Sequence, residues 1–318
     1  MDEFKIMPSS EMPEENKNLH HDEENRPKIS PILAAFIGLI GVLFLYQVVG
    51  SLLTMAILGI DLKNVPVLSE RLMIMAGQIL FILLPSLIFA KAFYKNVSKV
   101  IRFYFPNWEE IFLFTIGLAI LIPLIEYYQS IQNHFVDIWV SNSKFLQTIK
   151  SYLDVWNDSV TKAMGNLLAA KTIFDGAFII LLVAVIPAVC EEVMFRGYVQ
   201  KSFEYKLKPF TAALITAVFF GAFHMEPYSF IPLVALGLYF GFAAYKSNSI
   251  FVPMSLHFFN NFLMVIFYFI FGDDDVVNNA VTKSFDLLST LMIFIALIAL
   301  FAGVVLLIRK YYSRKIIT

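Results

Sequence analysis

Long uncharged, apolar segments are the feature that most restricts how this chain can fold. Hydrophobic residues make up 58% of its 318 residues, and charged residues make up only 15%. Inside a bilayer only helices and closed barrels satisfy their own backbone polar groups, and a spanning helix needs roughly 20 apolar residues. Runs of this length exclude the alternating pattern of a membrane barrel. The sequence therefore predicts an all-α integral membrane protein.

The number of apolar segments predicts a bundle of about eight transmembrane helices. The segments are Ile29 to Ile60, Leu72 to Ala90, about Ile111 to Tyr128, one that starts near Phe174, Pro209 to Met225, Pro227 to Tyr245, Ser247 to Gly272, and Leu287 to Ile308. Basic residues follow every even-numbered segment, whereas the opposite loops carry acids such as Asp61, Glu70 and the run Asp273 to Asp275. By the positive-inside rule, both termini are expected in the cytoplasm.

The parts of the chain outside these segments have two different compositions. Residues 1–28 are acidic with little apolar periodicity, which predicts a disordered cytosolic tail ahead of the first helices in 29–130. In the segment 131–172, apolar residues recur at three- and four-residue steps from Leu146 to Leu167, which predicts an amphipathic extracytoplasmic helix. The lack of a signal or transit segment favours a bacterial inner membrane over the endoplasmic reticulum.

Two adjacent carboxylates stand at the end of an uncharged run. Glu191 and Glu192 directly follow Gly176 to Cys190. An ionisable side chain in a bilayer costs a few kcal/mol or more, so such residues are functional candidates by default. The alternative is that the pair marks the wet end of a span. Further polar candidates inside the apolar segments are Arg196, His224, His257 and Asn261.

Each of these polar residues has an ordinary explanation when it is taken alone. Glu192 and Arg196 have the spacing of a helical ion pair, and an intramembrane His or Asn often only joins two helices. Their depth argues for a common site. Glu191 and His224 both lie roughly 20 to 25 Å along their helices from the turn near Lys208. His257 and Asn261 lie one helical turn apart at a similar height. The sequence therefore predicts an intramembrane polar pocket open to the cytoplasm.

The chemistry of this set of side chains fits hydrolysis. A carboxylate next to a histidine can take a proton from water, and a second histidine with an amide can donate hydrogen bonds to an oxyanion. The same set could instead hold a divalent metal such as zinc through Glu191, His224 and His257. The chain has no HExxH motif, and its chemistry leaves both possibilities open.

Three short motifs resemble those of a known family. EEVMFR, FGAFH and HFFNN, which begin at Glu191, Phe220 and His257, look like the EExxxR, FxxxH and HxxxN motifs of the CPBP family. This family of intramembrane proteases is also called the CAAX protease and bacteriocin-processing, or Abi, family, and it includes the type II CAAX prenyl endopeptidase. The resemblance covers about Phe174 to Phe271, less than a third of the chain.

The resemblance implies a role for each motif residue. Glu191 would activate water together with His224, while Glu192 would orient the site and Arg196 would hold it through an ion pair. An oxyanion site would come from the last two residues, His257 and Asn261. Residues 173–318 would then form a CPBP-type catalytic membrane domain and the last helix.

The expected function is an intramembrane endopeptidase that acts on a peptide or protein substrate, with or without a lipid modification, in contact with membrane lipid. Nothing in the sequence points to a nucleic acid. One alternative is a proton-coupled transporter, for which Pro187 and Pro253 are candidate helix breaks, although no internal repeat supports it. The other is a non-catalytic immunity or binding factor that uses the pocket only to bind a partner.

Overall fold

A computed structural model of the chain describes residues 25–60, 65–272 and 286–315. Most of the expected disordered tail lies outside the described residues, as do Asp61 and the acidic run Asp273 to Asp275. The last four residues of that tail are described and are anchored to the bundle. The Asn25 side chain donates to the Asn96 carbonyl at 3.2 Å, and the Lys28 amide donates to the Phe93 carbonyl at 2.8 Å.

Helices make up the fold, and the described residues contain no strand. In chain order the helices are α1 Pro31–Leu58, α2 Val67–Phe93, α3 Val97–Val100, α4 Trp108–Ser141, α5 Lys144–Leu168, α6 Ile173–Glu204, α7 Pro209–Phe223, α8 Phe230–Ser247, α9 Phe251–Phe271 and α10 Leu287–Lys315. Seven of these described helices are long and apolar enough to cross a membrane. The prediction of about eight differs only at α7, whose 15 residues extend about 22 Å, less than the hydrocarbon thickness.

Stretches of wider, π-type turns interrupt α1, α2 and α6. In α2 the stretch is Gln78–Leu83, and in α6 the two stretches are Leu181–Val185 and Val193–Val199. A proline lies shortly after the stretch in α2 and shortly after the first stretch in α6. Because proline has no N–H, the carbonyl four residues before it lacks its helical donor. Such irregular turns are frequent at functional sites. The two adjacent glutamates lie between the two π-type stretches of α6.

One end of the bundle collects the basic segments, and we call it the basic end. Arg102, which follows α3, pairs with Glu204 at the end of α6 and donates to the Ala244 carbonyl of α8 at 3.1 Å. At the same end, Tyr312 of α10 donates to Glu110 of α4 at 2.6 Å. The exits of α2, α6, α8 and α10 therefore lie together, as the charge pattern of the loops predicted.

The amphipathic helix expected between the third and fourth spans is present as α5, at the opposite end of the bundle. Trp156 donates from Nε1 to the Met225 carbonyl at 2.9 Å, and the Tyr228 hydroxyl donates to Asp154 at 2.6 Å. The hydrogen bond from Tyr228 holds the pKa of the Asp154 carboxyl below its ordinary value. Through these contacts, α5 covers the loop that begins at His224.

The hairpin of α7 and α8 packs closely because α8 carries a glycine at the contact. A Cβ atom at Gly237 would lie 3.1 Å from Cδ1 of Phe220 and 3.2 Å from the Cα of Ala217. Small residues at helix contacts let two backbones approach each other in a membrane. This contact places the Phe220 ring between α7 and α8, beside the polar residues of α6.

Candidate active site

A buried cluster joins three of the predicted site residues. Glu192, Arg196 and His257 are 0%, 0% and 3% exposed. Oε1 of Glu192 accepts hydrogen bonds at 2.8 Å both from the Arg196 guanidinium and from Nδ1 of His257. The helical ion pair predicted from the sequence is present. The bond to His257 joins α6 to α9 across 65 positions of the chain.

The Arg196 guanidinium also contacts α7 and α8. It donates to the Gly237 carbonyl of α8 at 3.1 Å, and its central carbon lies 4.3 Å from the centre of the Phe220 ring. A cation over an aromatic face gains electrostatic attraction, and the gain is larger away from water. The Phe220 ring also contacts His257, with 5.9 Å between ring centres. Phe220 therefore packs the cluster.

His224 caps the end of α7 with its ring against Phe220. The ring centres of these two residues are 4.6 Å apart, and Nδ1 lies 2.7 Å from the Phe220 carbonyl oxygen. A carbonyl only accepts, so Nδ1 must carry the proton, and in the neutral ring Nε2 keeps its lone pair. The half-buried His224 can therefore accept a proton at Nε2.

Asn261 satisfies a carbonyl that a proline leaves without a donor. Pro187 has no N–H for the Val183 carbonyl four residues earlier, and Asn261 donates to that oxygen at 2.9 Å. Its own side-chain oxygen accepts from Asn260 at 3.1 Å. One N–H of the Asn261 amide therefore joins α9 to α6, and the other remains for a further acceptor. The sequence reasoning missed Asn260 and this bond, although Pro187 was a usable signal.

Glu191 points toward α2, away from the cluster formed by its neighbour Glu192. Its Oε1 accepts a hydrogen bond at 3.3 Å from Nε2 of Gln78. The sequence predicted that Glu191 and His224 face each other, and among the described contacts no hydrogen bond joins them. Gln78 was missed by the sequence reasoning. The available signal was its position as the one amide side chain in the uncharged segment Leu72 to Ala90.

Unpaired polar atoms concentrate along α6. Among the described residues, the buried side-chain atoms without a hydrogen-bond partner are Gln78 Oε1, Glu191 Oε2, Glu192 Oε2, Arg196 Nε and Gln200 Oε1. Buried polar atoms are nearly always bonded to protein or to ordered water. Because all of these atoms belong to α6 or to Gln78, this part of the bundle is the place where internal water is expected.

The alternative metal site does not fit the observed geometry. Within the described part of the chain, no three His, Cys, Asp or Glu side chains form a group that could hold a metal ion. Glu191, His224 and His257 are therefore not arranged as a ligand set. Glu191 is instead turned toward α2, where it accepts a hydrogen bond from Gln78.

The fold is that of an all-α integral membrane protein. Residues 173–263, from the start of α6 into α9, match the family model described as Rce1-like, type II CAAX prenyl endopeptidase. The match confirms the resemblance found in the three motifs and supports assignment of the chain to the CPBP, or CAAX protease, family. It supports a CAAX-type intramembrane protease in general. Searches of curated proteins and of solved structures gave no significant match.

Proposed function

We propose that this protein is an intramembrane endopeptidase in which Glu191 and His224 activate a water molecule for attack on a peptide bond. The observation that carries the proposal is the hydrogen bond between Glu192 and His257. It joins two of the three sequence motifs inside the membrane, in the segment that matches the protease family. The bond therefore brings residues of two motifs into one buried cluster.

The two neighbouring glutamates have different roles in this mechanism. Glu192 shares one oxygen between the charged Arg196 and His257, so its negative charge is compensated. Glu191 has one neutral amide donor at 3.3 Å, which leaves its carboxylate more available to accept a proton. Glu191 therefore acts as the base, and Glu192 acts as the residue that orients His257.

The hydrolytic step balances with one water and one peptide bond. The Glu191 carboxylate or Nε2 of His224 takes a proton from water while the water oxygen bonds to the scissile carbonyl carbon. The carbonyl oxygen becomes an oxyanion, which receives hydrogen bonds from the His257 ring and the free N–H of Asn261. The carbon–nitrogen bond then breaks, and the proton held by the base passes to the leaving amine. The products are a new carboxyl end and a new amino end.

The substrate we propose is a membrane-associated peptide, such as a prenylated CAAX-like tail. We also propose that both termini lie in the cytoplasm of a bacterial cell, with the protein in the inner membrane. The basic end of the bundle supports this orientation. Because α7 leaves this end and α8 returns to it, the orientation does not depend on whether α7 crosses the bilayer. Reporter fusions at the two termini test it, and a reporter active only outside the cytoplasm would contradict it.

The function is tested by comparing new peptide termini in membranes of cells that express the wild type or Glu191→Gln. We expect cleaved termini in the wild type alone, and their sequences would define the substrate. Glu126→Gln is a matched control, because Glu126 is a half-buried glutamate in α4, outside the site, and this variant should cleave like the wild type. Identical termini in wild type and Glu191→Gln at equal abundance would contradict the proposal and favour the binding or transport alternative.

A further inference from the structure

Gln78 is the residue from the first half of the chain that reaches the proposed site. It lies in α2, outside the segment that matches the protease family, and it is 8% exposed. Its Nε2 donates to Glu191 across 113 positions of the chain. We propose that Gln78 positions the Glu191 carboxylate and, with it, binds the water that is activated. This inference rests on the proposed hydrolytic function and adds a residue to that site.

The orientation of the Gln78 amide follows from the chemistry of its neighbour. A carboxylate offers only acceptors, so the NH₂ side of the amide must face Glu191, because the reverse orientation would oppose two oxygens. The amide oxygen of Gln78 is therefore directed away from the atom that accepts this bond. The contact fixes both planar groups relative to each other.

The two groups leave matched hydrogen-bonding capacity unused. Gln78 Oε1 and Glu191 Oε2 are both buried, and neither has a partner among the described residues. Both atoms are acceptors, so the ligand that satisfies them must donate hydrogen bonds. Water has two donors and is small enough for a packed interior. The same water would be in contact with Glu191, the base that takes its proton.

A cavity bordered by Tyr46 lies near Gln78 and Glu191 and has space for water. It has a volume of 470 Å³, lies between α1, α2 and the second half of α5, and is lined by Tyr46 and Gly77. Gly77 directly precedes Gln78, and Tyr46 is close enough to Glu191 to interact with its charge. The cavity therefore reaches the residue that precedes Gln78, while Gln78 and Glu191 themselves do not line it.

The alternative explanation is that Gln78 only joins α2 to α6, as polar side chains often do between membrane helices. Gln200 provides a comparison within the same protein. Its amide donates to the Gly241 carbonyl and to Glu204, and it is 0% exposed, but it does not contact Glu191. A purely structural glutamine would change stability without changing Glu191. The two glutamines can therefore be tested with the same substitution.

The first test is infrared spectroscopy of purified protein in lipid nanodiscs, with Glu191→Gln used to assign the carboxyl band of Glu191. Gln78→Met keeps the side-chain length and removes the amide, so we expect the assigned band to shift. Gln200→Met should leave the band at its wild-type position. Gln78→Asn withdraws the amide by one methylene and should give the same shift, which provides a second variant if Gln78→Met does not fold.

The second test is kinetic and uses a quenched-fluorescence peptide with the sequence recovered from the terminus comparison. We expect Gln78→Met or Gln78→Asn to lower kcat by about 10- to 100-fold with KM within about twofold, because the lost contacts act on the attacking water. Gln200→Met should keep the wild-type kcat per folded molecule.

The outcomes separate this inference from the proposed function. Wild-type cleavage that Glu191→Gln abolishes, together with an unchanged band and unchanged kcat in the Gln78 variants, would overturn the inference and leave the function standing. Identical termini in wild type and Glu191→Gln would overturn the proposed function, and the role of Gln78 in water activation would be overturned with it.

Discussion

The two faces of α6 hold their polar residues in different ways. On one face, Arg196 and Gln200 face α8 and donate to its Gly237 and Gly241 carbonyls at 3.1 and 2.9 Å. Glu192 lies one turn before Arg196 on the same face. We call this the charged face, because Glu192 and Arg196 form an ion pair on it. Each charge on this face has an opposite charge within hydrogen-bonding distance.

From Glu191 to Ser202, the other face of α6 meets α1 and the end of α2 through neutral groups, and we call this part the neutral face. The Tyr198 hydroxyl donates to the Ala34 carbonyl at 2.7 Å, and Ser202 lies 2.6 Å from the Tyr94 hydroxyl. Glu191 is a carboxylate on this face, and its hydrogen-bond partner is the Gln78 amide. The comparison teaches that two adjacent glutamates, separated by about 100° around a helix, can meet different environments. Glu192 pairs with the charged Arg196, and Glu191 accepts from a neutral amide.

The largest expected effect comes from removing the Glu191 carboxylate. Glu191→Gln should lower peptide hydrolysis by about 10²- to 10⁴-fold, because a general base is lost. Its unfolding free energy should stay close to the wild-type value, since glutamine keeps the shape of the side chain and an oxygen that can accept from Gln78. Cleavage rate and denaturant unfolding in mixed micelles measure the two quantities. A stability loss as large as that of Glu192→Gln would break the distinction between the two faces.

The next effect concerns the charged face. Glu192→Gln should lower the unfolding free energy by about 3 to 5 kcal/mol, because it leaves the buried Arg196 without its counter-charge. The double variant Glu192→Gln with Arg196→Met should recover much of this loss, since no unpaired charge remains. Unfolding in mixed micelles measures both. No difference between the single and the double variant would show that the ion pair does not stabilise this face.

A smaller effect tests the packing of the neutral face. A Cβ atom at Gly38 of α1 would collide with the ring of Tyr198, which is 0% exposed and is held by its hydroxyl bond. Gly38→Ala should therefore destabilise the protein by about 1 to 3 kcal/mol. In the matched control Gly303→Ala, a Cβ meets nothing within 4 Å, so stability should be unchanged or higher by up to about 1 kcal/mol. Equal effects of the two variants would contradict the close packing of α1 on α6.

The smallest expected effect concerns Asp154 and Tyr228, which lie outside both faces of α6 and serve as a baseline for the comparison. The bond from Tyr228 keeps the pKa of Asp154 below its ordinary value, so its stabilisation is present at neutral pH and is lost as pH falls through the folded-state pKa. Asp154 is 44% exposed, and solvent screening limits the contribution to about 0.5 kcal/mol. Tyr228→Phe should weaken the acid dependence of the unfolding temperature slightly. A loss comparable to that of Glu192→Gln would show that α5 has a larger structural role.

Much of the fold could be predicted from the sequence because helix formation in lipid is a local requirement. The apolar segment before Glu191 predicted α6, and the turn expected near Lys208 follows the observed end of this helix at Glu204. The i, i+4 spacing predicted the pair of Glu192 and Arg196. The length of α7 was overestimated by only two residues, but this was enough to count it as a full span.

The sequence by itself determined that the chain is helical, that it enters the membrane, and which polar residues lie inside it. These properties follow from apolar length, helical spacing and the cost of charge in lipid, all of which are local. Only the tertiary structure decided the partner of each polar residue. The rotation of α6 against α2 and α8 depends on packing between distant segments. Because of that rotation, Glu192 accepts from Arg196 and His257, whereas Glu191 accepts from the Gln78 amide.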